Sequence, residues 1–184
     1  MPNTCLLVID MLNDFLDQWE AGARQALTSN TNALIDACRK ASVPVIWVRQ
    51  EFASDLSDAF LEMRDKNISV TIQGTRGAEI DASLDRHQDD RVIVKKRYSA
   101  FFRTSLETDL ADLGVTEIIL AGVNTHACIR MAAIDAYQRD LRVVIAKDCV
   151  GSIDQEHADV SLRYMDNKIA RVEPNATIIS SLSK

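Results

Sequence analysis

The chain is poor in residues that break or staple a structure. Six glycines and three prolines in 184 residues leave no material for a Pro/Gly-rich linker or a low-complexity tail. The four cysteines, at 5, 38, 128 and 149, show no CxxC spacing. That removes the usual zinc and dithiol frames, and free thiols in a reducing compartment are expected. The only histidines are 87, 126 and 157, at no spacing that sets two on one metal. Long apolar runs are missing too. The longest cover residues 5–9 and 118–123, against the roughly 20 residues a spanning helix needs. No basic segment followed by an apolar core opens the sequence, so the expected location is cytoplasmic. Basic excess is also absent. Lys plus Arg is 21 and Asp plus Glu 27, a net charge of −6, which argues against nucleic-acid and membrane partners.

What is present suits one folded unit. Hydrophobic residues make up 47%, enough to bury a core, and a single domain over 1–184 is expected. Short continuous apolar runs at 5–9, 43–48, 92–94, 117–121 and 143–146 read as strands buried on both faces. Amphipathic stretches separate them. Residues 30–41, 55–66, 125–139 and 154–164 carry apolar side chains at helical spacing. Thr104-Ser-Leu-Glu107 reads as a capping box, with Gly114 positioned to stop the helix it opens. A short strand near 170–172 and a helix from about 176 close the chain. Alternating strands and helices predict a three-layer α/β/α fold around a mostly parallel sheet.

Ligands in such folds sit beyond the carboxyl ends of the strands. There the sequence places Asp10, then Lys95 and Lys96, then Gly122-Val-Asn-Thr-His-Ala-Cys128 opening a helix. A carboxylate, an ammonium and a thiol near one edge suit covalent acyl transfer. A free thiol has a pKa of about 8.5, and a helix N-terminus with a nearby cation is expected to lower it. A carboxylate in reach can take the thiol proton and return it to a leaving group.

Three segments carry a family resemblance: Leu6-Leu-Val-Ile-Asp-Met-Leu-Asn-Asp-Phe15, Val94-Lys-Lys-Arg-Tyr-Ser-Ala-Phe101 and Ala121-Gly-Val-Asn-Thr-His-Ala-Cys-Ile129. A fourth, weaker one runs from Asp135-Ala-Tyr to Lys147-Asp-Cys149. In order and spacing the chain resembles the isochorismatase-like cysteine hydrolases, which include nicotinamidases, carbamoylsarcosine-type amidases and ureide hydrolases. The resemblance implies a Rossmann-like six-stranded sheet of order 3-2-1-4-5-6 and a homo-oligomer. It implies that Asp10, Lys95 (three places before Tyr98) and Cys128 are the catalytic triad. It also implies a cis peptide between Val123 and Asn124, with the backbone N–H groups of Asn124 and Cys128 forming an oxyanion hole. The implied chemistry cleaves a C–N bond of a small amide or ureide through a thioester and needs no cofactor.

The sequence departs from the nicotinamidase pattern after the second strand. Where those enzymes carry metal-binding histidines, this chain reads Trp47-Val-Arg-Gln-Glu-Phe52. Neither a metal nor nicotinamide is therefore expected. Arg49 is a candidate to fork onto a substrate carboxylate, with an ordinary ion pair as the competing reading. Phe15 and Trp19 are candidate lid residues, Tyr98 and Phe101 candidate pocket walls, and His126 a candidate at the pocket mouth. His126 is not expected to pair with Cys128, since residues two apart on a helix do not face each other. Cys149, following the fifth strand, is the alternative nucleophile. Cys5 and Cys38 read as core. Gly74-Thr-Arg-Gly77 lacks the ending of a phosphate loop and reads as a turn. Three alternatives to amide hydrolysis stay open: vinyl-ether hydrolysis of the isochorismatase type, a non-catalytic domain of the same fold, and a redox-sensing thiol protein.

Overall fold

In a computed structural model of the chain, residues 3–182 are described. Six parallel strands form one sheet of order β3-β2-β1-β4-β5-β6. They are β1 (Thr4–Ile9), β2 (Val45–Gln50), β3 (Arg91–Lys95), β4 (Glu117–Val123), β5 (Arg142–Gly151) and β6 (Arg171–Glu173). The helices are α1 (Asn13–Leu16), α2 (Ala21–Lys40), α3 (Leu61–Lys66), α4 (Leu106–Asp112), α5 (Arg130–Tyr137), α6 (Gln155–Met165) and α7 (Asn175–Leu182). Strand order and layering are those the resemblance implies. Among the described residues no helix is long and apolar enough to cross a membrane.

The central strands are apolar throughout because both faces are covered. Alternation sends Cys5, Leu7 and Ile9 of β1 to one face, with Ile46, Val48, Ile93 and the α4–α5 residues Leu106, Leu110 and Ala132. Leu6 and Val8 go to the other, with Trp47, Ile119, Leu27 and Leu34 of α2 and Ile178 of α7. Along α2 the buried residues Leu27, Thr31, Leu34, Ile35 and Cys38 form one stripe at helical spacing.

Local expectations fail where short polar side chains offer the backbone other partners. The helix expected over 55–66 begins only at Leu61. Before it, Asp58 and Asp55 carboxylates accept from Ala53 N–H and Ser57 N–H, and Leu56 takes a φ of 59°, holding turns in place of helix. The capping box does not form. Thr104 Oγ1 accepts from Leu106 N–H at 3.2 Å and donates to Ala100 at 2.6 Å, while Glu107 pairs with Arg139 at 2.9 Å. β5 runs five residues past its expected end because its register against β4 shifts between Leu120 and Gly122. Cys149 therefore lies within the strand, buried, with Sγ 3.1 Å from Asn175 Oδ1. It does not follow the strand as an open nucleophile would.

Gly122 marks the tightest approach in the sheet. It pairs with Ile9, has a φ of 123°, and a Cβ there would lie 1.9 Å from the Ile9 carbonyl oxygen. Only glycine fits. Gly122→Ala is expected to cost about 2–4 kcal/mol of unfolding free energy. Gly22→Ala, in a helix with open space around the site, should be neutral or slightly stabilising. Denaturant titration of both proteins checks this, and equal midpoints would refute it.

Candidate active site

Three strand ends converge. Asp10 follows β1 in a left-handed conformation, φ 55°. Its N–H donates to Val48 O at 2.8 Å, and its Oδ1 accepts from the Gln50 N–H at 2.7 Å. The end of β2 thus grips the carboxylate by its backbone. Lys95, the last residue of β3, reaches across β2 so that Nζ lies 2.7 Å from Asp10 Oδ2. The same ammonium donates to Arg97 O at 3.0 Å and lies 3.4 Å from Cys128 Sγ. Cys128 sits in a π-helical turn, Thr125–Ile129, that β4 enters through a cis peptide between Val123 and Asn124. Both charged side chains are fully buried, and Cys128 is 4% exposed.

The charges of this cluster set one another. Burial opposes the Lys95 ammonium, but the Asp10 carboxylate and the Cys128 sulfur outweigh it, so Lys95 titrates above the ordinary lysine range. For Cys128 burial dominates and pushes the thiol well above its usual value; Asp10 adds to the rise and Lys95 opposes it. This corrects the expectation of a depressed thiol pKa: removal from water and a neighbouring carboxylate outweigh the cation. The site therefore disfavours the Cys128 thiolate beside the Lys95–Asp10 pair. The remaining cysteines are more plainly structural. Burial pushes Cys5 and Cys38 to about 12 and Cys149 to about 11.

The structure divides the other candidates. Phe101 is buried in the same apolar cluster as Cys128. Tyr98 is half-exposed and packs against Phe60 with ring centroids 4.9 Å apart and the planes tilted by 40°. Phe15 and Trp19 pack against the cluster on the α2 side of the sheet, with Trp19 against Gly151, where a Cβ would meet its ring at 2.5 Å. They are wedged there, which corrects their reading as lid residues. Arg49 is also displaced. It is next to Gln50 on β2, so its side chain takes the face opposite to Lys95 and Cys128. It pairs with Glu51 at 2.8 Å, so the ion-pair reading holds and the carboxylate fork does not. His126 Nδ1 lies 3.0 Å from Ser152 Oγ, turned to the β5 end and away from a dyad with Cys128. Among the described residues no group of three or more His, Cys, Asp or Glu side chains stands close enough to hold a metal ion.

Two positions at the site escaped the sequence. Gln50 holds Asp10 through its backbone and carries a buried side chain with no partner for Nε2. The strand period is the signal for it: Gln50 pairs with Lys95 across β2 and β3 and so shares its face. Ser152, which holds His126, lies past an irregular strand that periodicity cannot extend.

The fold is one shared with cysteine hydrolases. The chain belongs to the isochorismatase family, whose domain model matches residues 4–177. It is 34% identical over 174 residues to a protein of Arabidopsis thaliana named as a probable inactive nicotinamidase, covering 90% of this chain and 89% of that one. The crystal structure of a cysteine hydrolase from Pseudomonas syringae superposes with a TM-score of 0.90 at 25% identity, over 98% of this chain and 92% of that one. N-carbamoylsarcosine amidase from Thermoplasma acidophilum gives 0.78 at 25% identity, over 94% and 96% of the two chains.

The electrostatic arrangement is testable without a substrate. Asp10→Asn removes a charge that raises the Cys128 thiol and leaves Lys95, which lowers it. Iodoacetamide should then modify Cys128 at pH 8 about tenfold faster or more than in the unaltered protein. Lys95→Ala should slow it. Peptide mass mapping over time gives the rates, and an unchanged or slower Asp10→Asn reaction would overturn the assignment.

Proposed function

We propose that the protein is a cysteine amidohydrolase that cleaves a small amide or ureide, with Asp10, Lys95 and Cys128 as its triad. The observation that carries this reading is the single Lys95 ammonium lying 2.7 Å from the carboxylate and 3.4 Å from the sulfur. Asp10 takes the thiol proton as Sγ attacks the amide carbon, forming the S–C bond. The N–H groups of Asn124 and Cys128 receive the oxyanion. As the intermediate collapses, the C–N bond breaks and Asp10 passes the proton to the departing nitrogen. Water then attacks the thioester with Asp10 as base; the acid is released and the thiol proton restored. Lys95 stays charged throughout, holding Asp10 in place and offsetting negative charge on sulfur. No cofactor enters the balance.

The names of relatives fit this reading. N-carbamoylsarcosine amidase is named for C–N cleavage. The Arabidopsis relative is named a probable inactive nicotinamidase, and the end of β2 here, Trp47-Val-Arg-Gln-Glu-Phe52, has no histidine. The substrate we propose is accordingly not nicotinamide.

Ammonia release from a panel of small amides and ureides is the test. Cys128→Ala should reduce turnover by about a thousandfold or more, and Lys95→Met by about a hundredfold or more. A trapped acyl adduct on the Cys128 peptide should accompany turnover. Full activity in Cys128→Ala would discard the thioester mechanism, and isochorismate cleavage by that variant would favour vinyl-ether chemistry.

A further inference from the structure

The groups around the triad say what charge the substrate carries. Each nearby cation is already engaged. Lys95 is held by Asp10. Lys96 pairs with Asp58 at 2.8 Å. Arg97 donates to the carbonyls of Asp58 and Lys96 at 2.8 and 2.6 Å and lies over the Phe60 ring. Arg49 pairs with Glu51 on the opposite face of the sheet. On the β5 side, His126 is tied to Ser152, with His157 at 6.0 Å and the Asp154 carboxylate on His157 Nδ1 at 2.8 Å. A carboxylate brought to Cys128 would thus have to share Lys95 with the Asp10 carboxylate or draw Arg97 from its two carbonyls, which is unfavourable in so closed a place.

Among the described residues, buried polar groups without a partner remain here too: Thr125 Oγ1 in the turn that carries Cys128, and the side-chain amide of Gln50 on β2. Gln50 is 5% exposed, and its Nε2 has no hydrogen-bond partner. It stands opposite Lys95 in the strand register, on the sheet face that carries Cys128, and its own N–H fixes Asp10. A buried amide donor left unpaired is unfavourable unless something else bonds it. Its chemistry matches a neutral acceptor: a carbonyl oxygen.

We propose that the site selects an uncharged amide bearing a second carbonyl, a diamide or a ureide, that Gln50 Nε2 donates to this second carbonyl, and that carboxylate-bearing amides are rejected. The proposal rests on the amidohydrolase reading for its turnover but not for its binding. Gln50 is thereby a specificity residue, since it receives the part of the substrate that does not react.

The experiment uses three probes of similar size: malonamide, its monocarboxylate malonamate, and butyramide, which has no second acceptor. Binding is measured by titration calorimetry in Cys128→Ala, which keeps Asp10, Lys95 and Gln50, and ammonia release is measured in the unaltered enzyme. Malonamide should bind at least about thirtyfold more tightly than malonamate and about tenfold more tightly than butyramide. Gln50→Leu, placed in both backgrounds, should bring malonamide to the butyramide level, raising KM about tenfold with little change in kcat. The malonamide-to-butyramide affinity ratio should fall to about one in Gln50→Leu, which separates lost recognition from a disturbed triad. Malonamate binding as well as malonamide, none of the three binding, or Gln50→Leu weakening malonamide and butyramide alike would each overturn the proposal. Selective malonamide binding without ammonia release supports the proposal and instead refutes the hydrolytic reading.

Discussion

The buried ion pair between Lys95 and Asp10 constrains everything around it. Both side chains are sealed from water, with Nζ and Oδ2 2.7 Å apart. Taking two charges out of water costs several kcal/mol each, and their attraction offsets this only with good geometry and further hydrogen bonds. Those bonds are present: Gln50 N–H on the carboxylate and the Arg97 carbonyl on the ammonium. The pair also joins β3 to β1 over the end of β2. Only a sheet in which β1 is central and β2 lies between its partners brings the two together. Topology and chemistry are here one requirement.

The backbone meets that requirement with a few irregular residues at the carboxyl edge. Asp10 adopts a left-handed conformation uncommon for any residue with a Cβ, which turns the chain as soon as β1 ends and leaves the carboxylate over β2. Gly122 lets β4 come close against Ile9. The π-helical turn then brings Cys128 back towards Lys95, on the face where α4 and α5 complete the apolar packing. Regular strands and helices supply rigidity, and these departures from regularity aim the three side chains.

Much of this was legible because burial on both faces writes parallel strands as continuous apolar runs. Residues 5–9, 43–48 and 117–121 point directly to β1, β2 and β4. That Asp10, Lys95 and Cys128 come together was legible through residue types at strand ends, combined with family motifs. Features set by long-range contacts were not. β5 continues through Lys147 and Asp148, whose polarity ends any apolar run, because its register slips against β4. Residues 55–60 have a helical pattern, but two aspartates bind the local backbone in turns. Arg49 looked available for a carboxylate until strand alternation set it on the opposite face, beside Glu51. The direction of the Cys128 pKa depends on depth of burial and on Asp10, neither of which one segment reveals.

A thiol held protonated is not a weakness in such a site. Burial and Asp10 disfavour the Cys128 thiolate, the form that alkylation and oxidation require. In the proposed mechanism Asp10 would take the thiol proton during attack and so hold the one that the leaving nitrogen needs. Moving that proton from sulfur to carboxylate shifts negative charge from one neighbour of Lys95 to the other without altering the total. An enclosure that keeps its charge balanced at each step tolerates a neutral guest far better than an ionised one. The buried Lys95–Asp10 pair and the Lys96–Asp58 pair near it both keep opposite charges together at this edge of the sheet.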